Sequence, residues 1–372
     1  LLEADRPLLY VGNGCRVAGV EETVRALIER HKLPAVFSWL SFDILPANHP
    51  LHFGCPGGFA PISANRILGE ADRILFLGAR LDLGTTAFQR DAFGDQAFRS
   101  FVDVDAAELS KFAGLPDSET VHADLRALPT AAEGLAKEVT GPAWRNWCLD
   151  QRQSGLEEEH RRLSTPALNT YTLARRLSSW AEDKVLVPAC SGFAEETFTR
   201  FFTPPSGCRF FNGASLGAMG FGLPMALGAL FGTSRHVVCM DADGGLMLNA
   251  QELATISRHK PPGFILFVLN NGGYDSIRIS QTRHFGETYG TDEQNGVFIP
   301  DFADLSRAYG IDYLRIATLS ELDDFLAAHD RRSPPVFVDL MITPDEPRGP
   351  SVRTVVLEDG RPVTTPLRDI DW

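Results

Sequence analysis

Positive charge is in short supply in this sequence. Its 372 residues carry 35 Lys and Arg against 48 Asp and Glu, a formal net charge of −13. That deficit argues against nucleic acid or an anionic membrane as partner, since both are bound through clustered Lys and Arg. It leaves room for a small anionic cofactor, which a helix start or a metal ion can hold locally. Cysteine is scarce too. The six (15, 55, 148, 190, 208 and 239) form no C-x-x-C pair and no zinc spacing. Buried thiols in a reducing cytoplasm are the expectation. No apolar run reaches the 18 or more residues of a membrane span. The richest, Leu216–Phe231, is interrupted by four glycines and Pro224. No signal peptide is visible, and the opening Leu-Leu-Glu, without Met, suggests a fragment or a processed piece. A clean G-x-G-x-x-G with its ribose-binding acid is missing, which argues against a nicotinamide dehydrogenase.

What is present is a soluble, globular composition, 44% hydrophobic and 22% charged. The length favours two domains over one core. Residues 1–140 alternate strand and helix. Short apolar runs at Pro7–Val11, Ala35–Ser38, Arg73–Leu77 and Ser100–Val104 are spaced for a parallel, doubly wound sheet. The first strand ends in Gly12-Asn13-Gly14, which fits either a nucleotide site or a tight strand-to-helix turn. Residues 141–165 are polar and charged and predict an exposed connecting helix. A second α/β domain spans 166–345, and the proline-rich end, 346–372, predicts an irregular tail. The fold class is therefore α/β, with two doubly wound, Rossmann-like domains.

The second domain holds the informative stretch, Asp241–Tyr274. A buried strand, His236–Met240, ends in an acidic turn with Asp243, Gly244 and Gly245. A helix over Ala250–His259 follows, and a second buried strand, Phe264–Leu269, runs into Asn270 and Asn271. Parallel strands joined by a helix end on the same edge of the sheet, so Asp243 and Asn271 can converge there. Asp243 offers an anionic oxygen, Asn271 a neutral one, and Gly273 a backbone carbonyl. Mg²⁺ takes such ligands and completes its shell with phosphates and water. Gly244 and Gly245 permit close approach of a phosphate and open a helix whose N–H groups favour an anion. The reading is a Mg²⁺–diphosphate site, against the plainer one of a βαβ crossover with polar turns.

An acidic GDG turn followed about 25 residues later by Asn-Asn resembles the thiamine-diphosphate motif of the acetolactate synthase and pyruvate decarboxylase superfamily. Ala242 stands where the first glycine usually does. Residues 54–65, 69–82 and 101–109 are similar to the middle domain of acetolactate synthases. Flavin-binding members show Arg-Phe-Asp-Asp-Arg after the third strand. This chain has Arg80-Leu81-Asp82-Leu83-Gly84, so FAD is not expected. Resemblance to acetolactate-synthase-like enzymes of carbohydrate biosynthesis rests on residues 191–198, 278–281 and 364–370.

The resemblance implies a thiamine-diphosphate-binding fold for the second domain, with thiamine diphosphate and Mg²⁺ as cofactors. Asp243, Asn271 and the Gly273 carbonyl would be the metal ligands. Ser191 and Gly192 would cap the diphosphate, beside Gly244, Gly245 and Tyr274. Gly217 and Met219 would serve catalysis. The Gly217 carbonyl would accept from the cofactor's amino group, and Met219 would wedge between its rings. Ile277 and Ser280 would line the substrate pocket. Acetolactate synthases usually carry tryptophan where Ser280 stands. The implied activity is decarboxylation of a small 2-oxo acid followed by protonation or carboligation. The family's activating glutamate sits in an N-terminal pyrimidine-binding domain that these residues do not resemble. A homo-oligomer or a separate pyrimidine-binding subunit is the implied partner, and the chain alone is expected to be inactive. The alternatives are a non-catalytic nucleotide-binding or regulatory homologue and one subunit of a split enzyme.

Overall fold

The computed structural model describes residues 4–132, 139–189, 192–213, 216–344, 346–356 and 362–372. They form two compact units, Leu1–Arg161 with Gly349–Trp372, and Arg162–Arg348. Each is built on its own parallel sheet.

The first unit contains β1 (Pro7–Val11), β2 (Ala35–Phe37), β3 (Arg73–Leu77), β4 (Phe98–Asp103) and β5 (Ser118–His122), in the spatial order β2-β1-β3-β4-β5. All neighbours pair parallel. β1 reads PLLYV and is buried at every position, as a strand covered on both faces must be. Aromatic rings fill the core behind the sheet, with Phe101 stacked on Phe112 at 4.0 Å between centroids. The strand order reverses between β1 and β3, the place where doubly wound sheets commonly bind ligands. Here that place is filled by backbone. Gly12 N–H donates to the Leu77 carbonyl and Gly14 N–H to the Gly78 carbonyl. A Cβ on Gly12 would lie 2.0 Å from the Gly78 oxygen, so only glycine allows the two turns to touch. The Gly12-Asn13-Gly14 turn thus has a packing cause.

Two expectations need correction. The helix placed as an exposed connector runs from Pro142 to Leu163, and its first half belongs to the first unit's core. Trp144 and Cys148 are buried, the Trp144 indole donates to the Pro7 carbonyl at 2.9 Å, and Arg152 donates to the carbonyls of His49 and His52. A buried indole resists truncation by about 3–5 kcal/mol, so this is structural cladding. The end of the chain is less irregular than its composition suggested. β12 (Thr354–Val356) and β13 (Pro362–Thr364) pair antiparallel, although residues 357–361 lie outside the described ones. Gln89 donates to Thr364, Arg368 pairs with Asp95 at 3.5 Å, and Leu367 packs on the same core.

The second unit contains β6 (Val185–Pro188), β7 (Arg209–Phe210), β8 (Val237–Ala242), β9 (Ile265–Asn270), β10 (Asp312–Ile316) and β11 (Val336–Met341). Their order is β10-β11-β9-β8-β6-β7, again wholly parallel. Its strands read VVCMDA and ILFVLN, apolar until the last residues, where polar groups emerge at the sheet's C-terminal edge. The order reverses between β6 and β8, and β9 lies beside β8. No helix among the described residues is long and apolar enough to cross a membrane. The five described cysteines are buried thiols.

Candidate functional site

β8 and β9 pair in a register that sets Ala242 opposite Leu269, so Asp243 and Asn271 leave the sheet side by side. Asp243 starts a single helical turn, Asp243–Leu246, and is fully buried. Its Oδ2 accepts from the N–H groups of Asn271 at 3.1 Å and Gly273 at 2.9 Å, and its Oδ1 from Gly244 at 2.6 Å. One carboxylate therefore ties the turn after β8 to the turn after β9. Burial pushes its pKa up to about 6, although the amides of Gly244, Gly273 and Asn271 favour the charged form. Moving a carboxylate from 3.8 to about 6 represents roughly 3 kcal/mol that a cation beside it would offset.

Asn271 supplies the second observation. Its side-chain Oδ1 is buried and accepts no hydrogen bond among the described residues. An orphaned acceptor next to a buried carboxylate of raised pKa is what a hard cation would satisfy. The Gly273 carbonyl accepts from Asp275 N–H at 3.2 Å and keeps a second lone pair. Gly273 itself, at φ +139°, packs its Cα against the Thr291 carbonyl, which explains the glycine. These residues fit Mg²⁺ by donor type and by the unsatisfied oxygen.

The cleft beside them is open on one side and has a volume of about 160 Å³, less than the roughly 300–1,000 Å³ of a complete small-ligand site. Gly192, Met219, Asp243, Gly244 and Gly245 line it from one group of segments, and Asn271, Gly273, Tyr274 and Ile277 from another. Sequence reasoning had placed none of Ala242, Asp275 and Ser276 in the site, and all three also line it. Asp275 is buried and holds both Arg278 and Arg348, which fixes the start of the helix Asp275–Phe285 carrying Ile277. Two expected site residues are not among the lining. Gly217 is exposed, with φ +58°, and Ser280 is exposed on that same helix. Ser191 lies outside the described residues.

The glycines after Asp243 have nearer causes than a phosphate. A Cβ on Gly244 would lie 2.2 Å from the Tyr274 ring, and one on Gly245 would lie 2.7 Å from Asp241 Oδ1. The helix they open is one turn long. The ten-residue helix Gly192–Phe201 instead begins at the cleft wall, where its first N–H groups can meet an anion. Asp241, the other acid of the turn, is fully buried. Burial pushes its pKa up to about 7, opposed by the amides of Ala242 and Leu223 and reinforced by the charge of Asp243.

The chain is similar to proteins of known family. A family model for the thiamine pyrophosphate enzyme central domain matches residues 1–130, and one for the thiamine pyrophosphate enzyme C-terminal TPP binding domain matches residues 191–340. The chain is 27% identical over 367 residues to the acetolactate synthase large subunit of Corynebacterium glutamicum, covering 94% of this chain and 56% of that protein. It is 29% identical over 314 residues to the acetolactate synthase isozyme 2 large subunit of Escherichia coli (84% and 55%). With acetolactate synthase 1, chloroplastic, of Zea mays it shares 27% over 380 residues (97% and 58%). The chain thus spans little more than half the length of these relatives.

Proposed function

This chain belongs to the thiamine pyrophosphate enzymes, of which it carries the central and the C-terminal cofactor-binding domains, and from that premise we propose that its second unit supplies the diphosphate and Mg²⁺ half of a thiamine-diphosphate site. The reaction class is acetolactate-synthase-like, decarboxylation of a small 2-oxo acid followed by protonation or carboligation. The observation that carries the reading is Asn271 Oδ1, buried and unpartnered, beside the buried Asp243 carboxylate. Thiamine diphosphate, when bound, supplies the electron sink that lets a 2-oxo acid lose carbon dioxide. The chain's own residues bind and orient. Asp243, Asn271 and the Gly273 carbonyl would hold the metal, and the start of the helix Gly192–Phe201 would meet the diphosphate. Tyr274 closes over Gly244. Met219 would hold the rings, and Ile277 would face the substrate.

A homo-oligomer or a pyrimidine-binding domain on another chain completes the site in this reading. Exposed Leu216, Phe221, Leu248 and Ile277, all on the segments that build the cleft, support that. Buried thiols support a reducing cytoplasm as its place of work.

Calorimetric titration with thiamine diphosphate, in Mg²⁺ and in chelator, tests the reading. Binding is expected only with Mg²⁺, and its pH dependence has a definite sign. Asp243 ligates as the carboxylate, and its pKa without metal is raised to about 6. Affinity should therefore be steady above pH 7 and fall about tenfold per unit below pH 6. Without metal the sign inverts, because the folded pKa exceeds the usual 3.8. The stability this group contributes is present at low pH and is lost as pH rises through about 6. Metal-independent binding, or binding of ADP in place of thiamine diphosphate, would turn the reading toward a nucleotide-binding homologue.

For the first unit we propose a structural role without flavin. Backbone contact between the Gly12–Gly14 and Gly78 turns at the sheet's reversal point supports it, as does Arg80-Leu81-Asp82-Leu83-Gly84. Purified protein should be colourless, and a yellow preparation with stoichiometric FAD would overturn this.

A further inference from the structure

Asp241 has no place in the roles above, yet it is fully buried and charged by nature. Each of its two oxygens lies against a glycine. Oδ1 accepts from Ala242 N–H at 2.9 Å and sits where a Cβ on Gly245 would be, 2.7 Å away. Oδ2 sits 2.8 Å from where a Cβ on Gly222 would be, and has no hydrogen bond of normal geometry. Gly222 is the first residue of the eleven-residue helix Gly222–Gly232, so Oδ2 faces that helix start, where a negative charge is favoured. The turn leading into the helix carries Met219. Asp241 thus lies between the metal turn and the Met219 turn, in contact with the backbone of both.

A second tie joins the same two segments. The Asn249 side chain, just beyond the metal turn, donates to the Gly220 carbonyl at 2.6 Å. Gly220 has φ +74°, and a Cβ on it would lie 2.8 Å from the Leu248 Cβ. The metal turn is independently fixed to β9 through Asp243, Asn271 and Gly273. The Met219 turn has no such anchor to β9 among the described hydrogen bonds.

We infer that Asp241 and Asn249 are positioning residues that set the distance of the Met219 turn from the metal turn, and so fit the cleft to a ligand that must touch both. This rests on the reading of the cleft as a thiamine-diphosphate and Mg²⁺ site. Asp241→Asn preserves shape but must present an amide donor either to the Ala242 N–H or to the helix start, both of which are donors.

The test compares two ligands on the 372-residue chain with Mg²⁺: thiamine diphosphate, which would reach both turns, and inorganic pyrophosphate, which would reach only the metal turn. Asp241→Asn should weaken thiamine diphosphate about tenfold or more and pyrophosphate about twofold or less. Asn249→Ala removes a partly exposed tie, leaves the core untouched, and should shift the same ratio by about threefold; it carries the test if the Asp241 variant does not fold. Equal losses for both ligands, or no loss for either, would overturn the inference and leave the site reading intact. Failure of the unsubstituted chain to bind either ligand would overturn both.

Discussion

Asp243→Ala is expected to abolish Mg²⁺-dependent binding of thiamine diphosphate. Two losses combine at this position. The site would lose its one anionic ligand beside a diphosphate. It would also lose the acceptor for three amides, those of Gly244, Asn271 and Gly273, which then stand unsatisfied in a buried turn. Each orphaned donor costs about 1–3 kcal/mol, so the turns after β8 and β9 should drift apart as well. Asp243→Asn separates the two contributions. It can still accept with one oxygen but carries no charge, so it should bind more weakly than the unsubstituted chain and fold better than the alanine variant. Asn271→Ala should weaken affinity less than Asp243→Ala, because the lost ligand is neutral and its oxygen leaves no donor stranded. We expect a loss of about a hundredfold or more for Asp243→Ala, equivalent to about 2.7 kcal/mol. Calorimetry that found affinity unchanged would remove Asp243 from the metal site.

The 372-residue chain by itself is expected to turn over no 2-oxo acid at a meaningful rate. The described residues of the cleft offer a metal-holding carboxylate, an amide oxygen and an apolar methionine. The carboxylates beside them are already committed: Asp241 is sealed between two glycines, and Asp275 holds Arg278 and Arg348. A pyrimidine-binding domain, fused or added as a separate polypeptide, should restore turnover by bringing its glutamate. The chain should also associate with a partner, since Leu216 is 90% exposed at the edge of the Met219 turn. Rapid turnover of pyruvate by the chain alone, shown monomeric by light scattering, would overturn this.

The convergence of Asp243 and Asn271 was legible because buried parallel strands betray themselves as apolar runs. PLLYV, RILFL and ILFVLN need no alignment to be recognised, and the asparagine closing ILFVLN marks the sheet edge from which Asn271 emerges. β5 escaped because its sequence, SETVH, is polar and four of its five residues are exposed, as an edge strand allows. The helix Pro142–Leu163 misled because its apolar contacts crowd into the first turns, around Trp144 and Cys148, while its charged second half dominates the pattern. Gly244 and Gly245 announced a close approach but not of what. That Tyr274 and Asp241 lie against them is a tertiary fact, and no local signal carries it. Ser280 sits three residues past Ile277, nominally on the same helical face. The helix climbs about 1.5 Å per residue away from its buried start at Asp275, and Ser280 is carried out to solvent.

The chain reaches the first unit twice, through residues up to Arg161 and again from Gly349 onward. During synthesis the segment with β12, β13 and Leu367 is made only after all of Arg162–Arg348. At about 5–20 residues per second, on the order of 190 residues take about 10–40 s. Through that interval the nascent first unit waits with Ala87, Gln89 and Asp95 lacking the partners that Thr364 and Arg368 later bring. Its five strands can pair and Trp144 can dock, but that flank stays open until the ribosome has passed the second unit. The vulnerable interval thus falls in the first unit, whose flank is completed only after the second unit has been made. A chaperone-binding or pulse-proteolysis signal should fall there, around residues 87–95.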